Sequence, residues 1–376
     1  MRNCMLHCKL TEVKTVGRLY TWNNKQDGED RVFSRIDRVL ANSEWNDLFD
    51  TAEANFMPEG HYDHSPMLLN CYQRAPQKRP FRFFNMWTTS PRFNTIVEEN
   101  WKKYVYGCPM YRVMQKLKWI KMDLKVLNQE GYNNVEAEQI KRHKALLEVQ
   151  NLLHSTPGDQ GLASREKVAS DEYRRARENY LSFLQQTAKV QWLQNGDDNT
   201  KAFHQSIRQR RKQNRIYAIH NGEGKWVQTD TEVQMAFVQF YKNLFCTTME
   251  NKAPLLDAVM DMGPRLNDTH RGRLACSVTV EDIKRVLDTI PSSKAPGMDG
   301  FNSHFFRTTW DTIKGDIHSA IKDFFETGKI LKEVNITSIT LVPKVKVTSS
   351  VGDFRPIACC SVIYKCISKL MCEKLN

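Results

Sequence analysis

The chain has 376 residues, of which 40% are hydrophobic, 26% charged and 10% aromatic, enough apolar material for two or three folded units rather than one body. Its 55 Lys and Arg against 43 Asp and Glu leave a formal charge of +12, which favours a polyanionic partner, nucleic acid first, over acidic proteins or neutral lipid. No apolar run approaches the roughly 18 residues of a membrane helix, and Met1-Arg2-Asn3-Cys4 opens no secretory signal, so the expectation is a protein of nucleus or cytoplasm with no membrane partner and no secretion.

Residues 1–70 are acidic, with 8 Lys and Arg against 11 Asp and Glu. Leu19–Trp22 and Val32–Leu40 have the alternation and the β-branched and aromatic content of strands, and the polar Asn23–Asp30 between them predicts a hairpin. A short helix follows Ala41, with Asn42 or Ser43 as its cap. A further strand is expected at Pro66–Leu69, directly after Asp63-His64-Ser65. An imidazole whose tautomer is fixed by one carboxylate can act on a phosphate oxygen as acid or base, and a second carboxylate can hold Mg²⁺. Asp37 and Asp63 are the carboxylates available to His64, although an Asp-His pair in a turn serves equally well as a cap or as plain surface.

The middle of the chain carries the positive charge: residues 71–275 hold 33 Lys and Arg against 21 Asp and Glu. Pro76–Pro80 reads as a linker. Tyr111–Gln129 and Val168–Gln194 lack Pro and Gly and are rich in helix formers, while Pro157, Gly158 and Gly161 interrupt the region, which predicts an antiparallel helical hairpin. Asn195–Asp198 ends the second arm. Lys201, Arg208, Arg210, Arg211, Lys212 and Arg215 then give six basic residues without an acid, a run that can neutralise phosphates whatever the base sequence. A solvated helix face or an import signal would have the same composition.

From Thr279 the order is regular. Thr279 and Asp282 form a capping box before a helix whose Ile283, Val286, Leu287 and Ile290 share one face. The loop Lys294–Phe301 follows, without the spacing of a P-loop. A helix through Phe305, Trp310, Ile313, Ile317, Ile321 and Phe324 ends at Gly328, and Ile336–Val342 alternates as a strand up to Pro343-Lys344. Lys344 and Arg355, each beside a proline, can reach a triphosphate or make surface ion pairs. The ten cysteines are expected as reduced thiols, because neither Cys4, His7 and Cys8 nor Cys359, Cys360, Cys366 and Cys372 have the paired spacing of a zinc site.

Three ordered sets of residues resemble one kind of protein. Tyr20–Asn24, Ser34–Asn42 and Asp63–Pro66 resemble the closing part of the endonuclease/exonuclease/phosphatase fold in the apurinic-endonuclease-like form of LINE-type retrotransposons. Trp192–His204 resembles the linker signature of such elements, especially those of plants. Lys294–Phe301, Leu341–Lys344, Phe354–Ile357 and Tyr364–Lys369 resemble the opening of a LINE-type reverse transcriptase. The resemblance implies that Asp37 orients the catalytic His64, that Asp63 is the adjacent carboxylate of a Mg²⁺ and phosphate site, that Lys344 and Arg355 contact an incoming triphosphate, and that the loop bearing Lys294 lies near the RNA template. Met298 departs from the usual Pro or Asn.

The fold expected is therefore mixed α/β in three segments: a partial endonuclease β-sandwich over 1–75, a basic helical linker over 76–275, and truncated α+β reverse transcriptase fingers over 276–376. The family uses Mg²⁺ and acts on RNA and DNA. Its metal-binding Glu is expected before Met1 and its palm aspartates after Asn376, and no Tyr-x-Asp-Asp occurs in the sequence, so no bound Mg²⁺ and no catalysis are expected of these residues. A non-catalytic, basic nucleic-acid-binding protein is the alternative. The incomplete sandwich is expected to expose an apolar face.

Overall fold

A computed structural model describes residues 5, 8, 10–49, 52–71, 80–188, 216, 218–246, 262–263, 266–345 and 348–375. The chain divides into two units that alternate along the sequence: one takes Met1–Lys78, Gln205–Met262 and Ile339–Ile357, the other Arg79–His204, Gly263–Ser338 and Ala358–Asn376. The first unit thus draws on all three of the segments expected from sequence.

The N-terminal strands are short: β1 (Thr11–Glu12), β2 (Lys14–Gly17), β3 (Trp22–Asn23), β4 (Phe33–Ser34), β5 (Leu40–Ala41), β6 (Glu53–Phe56) and β7 (Met67–Asn70). β1 pairs with β5 and β3 with β4, both antiparallel. β6 lies between a parallel β2 and an antiparallel β7. The expected hairpin forms, but its ladder is only two residues long, because the Thr21 hydroxyl accepts the next amides, those of Ile36 and Asp37, at 3.2 and 2.9 Å. Helix α1 (Ser43–Leu48) is capped by Asn42, whose Oδ1 accepts from the Trp45 amide. Val13, Ala41 and Ala52 form a small core here, with Val39, Trp45 and Phe49 against it. On β7, Met67, Leu68 and Leu69 are all exposed. Successive strand residues point to opposite faces, so neither face of this strand is covered.

Helices α2 (Arg92–Lys102), α3 (Pro109–Leu127), α4 (Val135–Ser155) and α5 (Gln160–Ala188) follow. α3 starts at Pro109, whose missing N–H costs nothing in a first turn. A helical hairpin forms about the Pro and Gly break, but its first arm is α4, while the Tyr111–Gln129 stretch belongs mainly to the separate α3: Arg142 bonds to Glu172, Gln150 to Glu166, and His143 stacks on Tyr173, partners that run in opposite directions along α4 and α5. The Phe83 ring meets those of Trp87, Phe93, Phe301 and Phe305 at centroid distances between 5.3 and 6.1 Å. This aromatic core ties the stretch before α2 to residues two hundred positions later.

Strands β8 (Ile219–His220) and β9 (Trp226–Val227) pair antiparallel before α6 (Asp230–Phe245), which opens with a Thr229 and Glu232 capping box. Their apolar residues Ile219, Val227, Val233, Phe237 and Tyr241 form one core with Val351 and Phe354.

The rest comprises α7 (Asp268–Ala275), α8 (Val280–Asp288), α9 (Ser303–Thr308), α10 (Trp310–Thr327), α11 (Lys332–Asn335), β10 (Ser338–Pro343), β11 (Phe354–Cys359) and α12 (Val362–Leu375). β10 and β11 pair. α8 has the predicted capping box, and Ile283, Val286, Leu287 and Ile290 are buried. No described helix is long and apolar enough to cross a membrane.

Candidate functional site

Three pieces of the first unit meet at Thr21. Its side chain is fully buried and holds the Ile36 and Asp37 amides, while its carbonyl accepts from the Ser65 amide at 2.8 Å. That single residue therefore fixes the backbone of both Asp37 and the segment around His64. Trp22 bridges His64 as an isolated β pair, and its indole Nε1 donates to Asp63 Oδ2 at 3.1 Å. The Asn23 amide donates to the Asp63 carbonyl at 2.9 Å, and the Asn23 side chain to Glu59 at 3.1 Å.

The result is a dyad. His64 Nδ1 lies 2.9 Å from Asp37 Oδ2, with both side chains about half exposed. A carboxylate can only accept, so Nδ1 carries the proton and Nε2 is the ring nitrogen left for a reacting partner. Partial burial opposes ionisation of Asp37, but hydrogen bonds with His64 and Thr21 outweigh it and hold the carboxyl below its usual range. An imidazole so oriented can accept a proton through Nε2 or, once protonated, donate to an anionic oxygen.

Asp63 is less free. Its Oδ2 is engaged by Trp22, and among the described residues no three His, Cys, Asp or Glu side chains converge as a metal cage. Asp63 alone does not make a Mg²⁺ site of protein ligands. Cys359, Cys360, Cys366 and Cys372 likewise form no such cluster among the described residues, while Cys4 and His7 lie outside them.

The other predicted residues are elsewhere. Lys344 follows β10; its amide donates to the Asp353 carbonyl and its Nζ to the Gly352 carbonyl, both at 2.7 Å, so it closes the loop between β10 and β11. Arg355 is exposed on β11, next to the buried Phe354. Lys294 is exposed on the loop before α9. Lys201, Arg208, Arg210, Arg211, Lys212 and Arg215 lie outside the described residues, as does the Trp192–His204 signature.

The loop Lys294–Phe301 is held from three sides. Lys365 Nζ donates to the Ala295 carbonyl at 2.8 Å, and the Phe83 amide to the Gly300 carbonyl at 2.9 Å. Gly300 has φ +82° and lies so close to the Phe81 carbonyl that a Cβ would overlap it, and Gly297 is pressed in the same way against Ser361. Inside the loop is a group that sequence reasoning missed. Asp299 is half-buried, with Oδ1 accepting from the Phe301 amide and Oδ2 sealed from solvent without a hydrogen-bond partner. Burial pushes its pKa up to about 6, against the pull of Lys365 and Lys121. The only sequence signal for it was an acid between Met298 and a conformationally special glycine.

No protein-family model matches the chain. All of its residues align, at 22% identity over 392 positions, with a curated protein of Xenopus laevis, the "Transposon TX1 uncharacterized 149 kDa protein". From end to end, the chain is similar to a transposon protein. It spans 29% of the length of that relative. The match runs across both structural units, so the similarity belongs to the chain as a whole and not to one motif.

Proposed function

We propose that the chain is part of a LINE-type retrotransposon polyprotein, comprising the closing part of an apurinic-endonuclease-like domain, a basic linker and the entry to a reverse transcriptase. Its partners are RNA and DNA. The observation that carries the reading is the Asp37 and His64 dyad, braced by Thr21 and flanked by the Trp22 and Asp63 contact. The three sequence motifs that resemble the endonuclease are the same three segments that build it. The similarity of the whole chain to part of a transposon protein supports the same assignment.

In this reading the dyad presents His64 Nε2 to a phosphate oxygen, and Lys344, Arg355 and Lys294 belong to the polymerase side. Phosphoryl transfer by a polymerase requires carboxylates that clamp two metal ions, and the sequence contains no Tyr-x-Asp-Asp. These 376 residues accordingly bind nucleic acid without extending it.

The test is the salt dependence of binding. Log affinity for RNA plotted against log salt should be steep, and replacing Arg208, Arg210 and Arg211 by Ala should reduce the slope by about 2, at roughly 0.7 per phosphate contact on a single strand. No binding at 50 mM salt, or primer extension on an RNA template, would overturn the proposal.

A further inference from the structure

We propose that Tyr104 and Tyr106, in the loop joining α2 to α3, are a stacking platform for the bases of a single-stranded nucleic acid whose phosphates meet the exposed Lys102, Lys118 and Lys125 of α2 and α3. The proposal rests on the nucleic-acid partner proposed above and names the surface that takes it.

Tyr104 and Tyr106 are 85% and 87% exposed, the most exposed aromatic residues among those described. A single exposed ring is ordinary; two within three residues on a short loop form an aromatic surface that no part of this unit covers.

The loop is mounted on a fixed base. Buried Asn100 donates to Asp123 on α3 at 2.6 Å and to the Ile96 carbonyl at 2.9 Å, so it staples the end of α2 to α3. Lys103 Nζ bonds to Asn100 Oδ1 at 2.6 Å and sits 5.5 Å from the centre of the Trp119 ring. Trp101 is buried beneath Lys116, which is itself held by Asp316 at 2.6 Å. At Gly107, φ is +131° and a Cβ would come within 2.9 Å of the Tyr111 ring, so this turn admits no larger residue without displacing Tyr111. The residues before and after the tyrosines are thus anchored, while the two rings are not.

Charge decides the kind of partner. Residues 101–127 contain seven Lys and Arg and one acid, Asp123. α3 buries Met110, Val113, Leu117, Ile120 and Leu124, and leaves Lys118, Met122 and Lys125 exposed, with Lys118 4.0 Å from Glu333. Exposed aromatic rings on a basic stretch of chain suit single-stranded nucleic acid, in which each base offers a π face to a ring and each phosphate a charge to a lysine. In a duplex the base faces are already stacked on one another, so the tyrosines gain nothing there. An apolar protein partner is disfavoured by the same lysines, which it would have to desolvate.

The experiment uses the full chain and a fluorescently labelled single-stranded oligo(U), with a duplex of equal length alongside. Replacing both tyrosines by Ala should weaken oligo(U) binding by about tenfold or more per lost ring. It should leave the salt slope, the duplex affinity and the melting temperature unchanged. Replacement by Phe or Trp should retain most of the affinity. Unchanged oligo(U) affinity in the Ala variant, or an equal loss on duplex, overturns the platform while leaving the nucleic-acid reading intact. Absence of binding by the unmodified chain to either probe overturns both.

Discussion

Asp299 combines an anchored oxygen with a stranded one. Its Oδ1 holds the Phe301 amide, but Oδ2 has neither water nor a donor, so ionisation there is opposed by lost hydration. The native state therefore binds its proton more tightly than the unfolded chain, with a pKa of about 6 in place of 3.8. The stability this group contributes is complete below the unfolded value and is lost as pH rises through about 6. Asp299→Asn keeps the bond to Phe301 and carries no charge. It should stabilise the protein at pH 7.5 by on the order of 3 kcal/mol and change little at pH 3.5, below the unfolded value, read as urea midpoints at the two pH values. Equal shifts at both would falsify the assignment. At this scale the sequence paired Asp37 with His64, because they lie in motifs with a chemical reason to be together, and the two side chains meet at 2.9 Å, while the Asp63 carboxylate is engaged by Trp22. It did not show Thr21, whose importance comes from two amides fifteen and sixteen positions away. Nor did it show that Lys344 is taken up in closing its own loop.

Helix α8 shows what local pattern can specify. Thr279 Oγ1 accepts the Asp282 amide and Asp282 Oδ2 accepts the Thr279 amide, both at 3.1 Å, while the periodic Ile283, Val286 and Leu287 are essentially inaccessible. Cap and period agree, so the helix was legible from sequence, as was the Pro and Gly break between α4 and α5, though not that Tyr111–Gln129 would separate as α3. Thr279→Ala should cost about 1 kcal/mol and Ile283→Ala about 2–5 kcal/mol, measured by chemical denaturation. A larger loss for the cap than for the core residue would contradict the packing. The strands were harder. β2 pairs in parallel with β6, more than thirty positions on, and nothing in Lys14–Gly17 announces that partner. The predicted first hairpin was also shortened, because a threonine hydroxyl took over from the ladder. Strand pairing depends on distant residues in a way that capping does not.

At the level of the whole molecule, the order of segments along the chain is not the order of cores. The core around Phe237 and Tyr241 is completed by Val351 and Phe354 from the far end of the sequence: the Phe354 ring stands at 90° to that of Phe237 with centroids 5.2 Å apart, and its carbonyl accepts from the Tyr241 hydroxyl at 3.1 Å. The uneven charge and the family resemblance suggested three consecutive segments, whereas burial joins residues more than a hundred positions apart. The consequence can be measured. Phe354→Ala removes a fully packed ring and should destabilise the core by about 3–5 kcal/mol. Hydrogen exchange should then accelerate in Val233–Tyr241 of α6, more than a hundred residues from the substitution, as well as beside it. Acceleration confined to β10 and β11 would mean that the C-terminal piece does not complete this core, and the two-unit division would have to be redrawn along the chain.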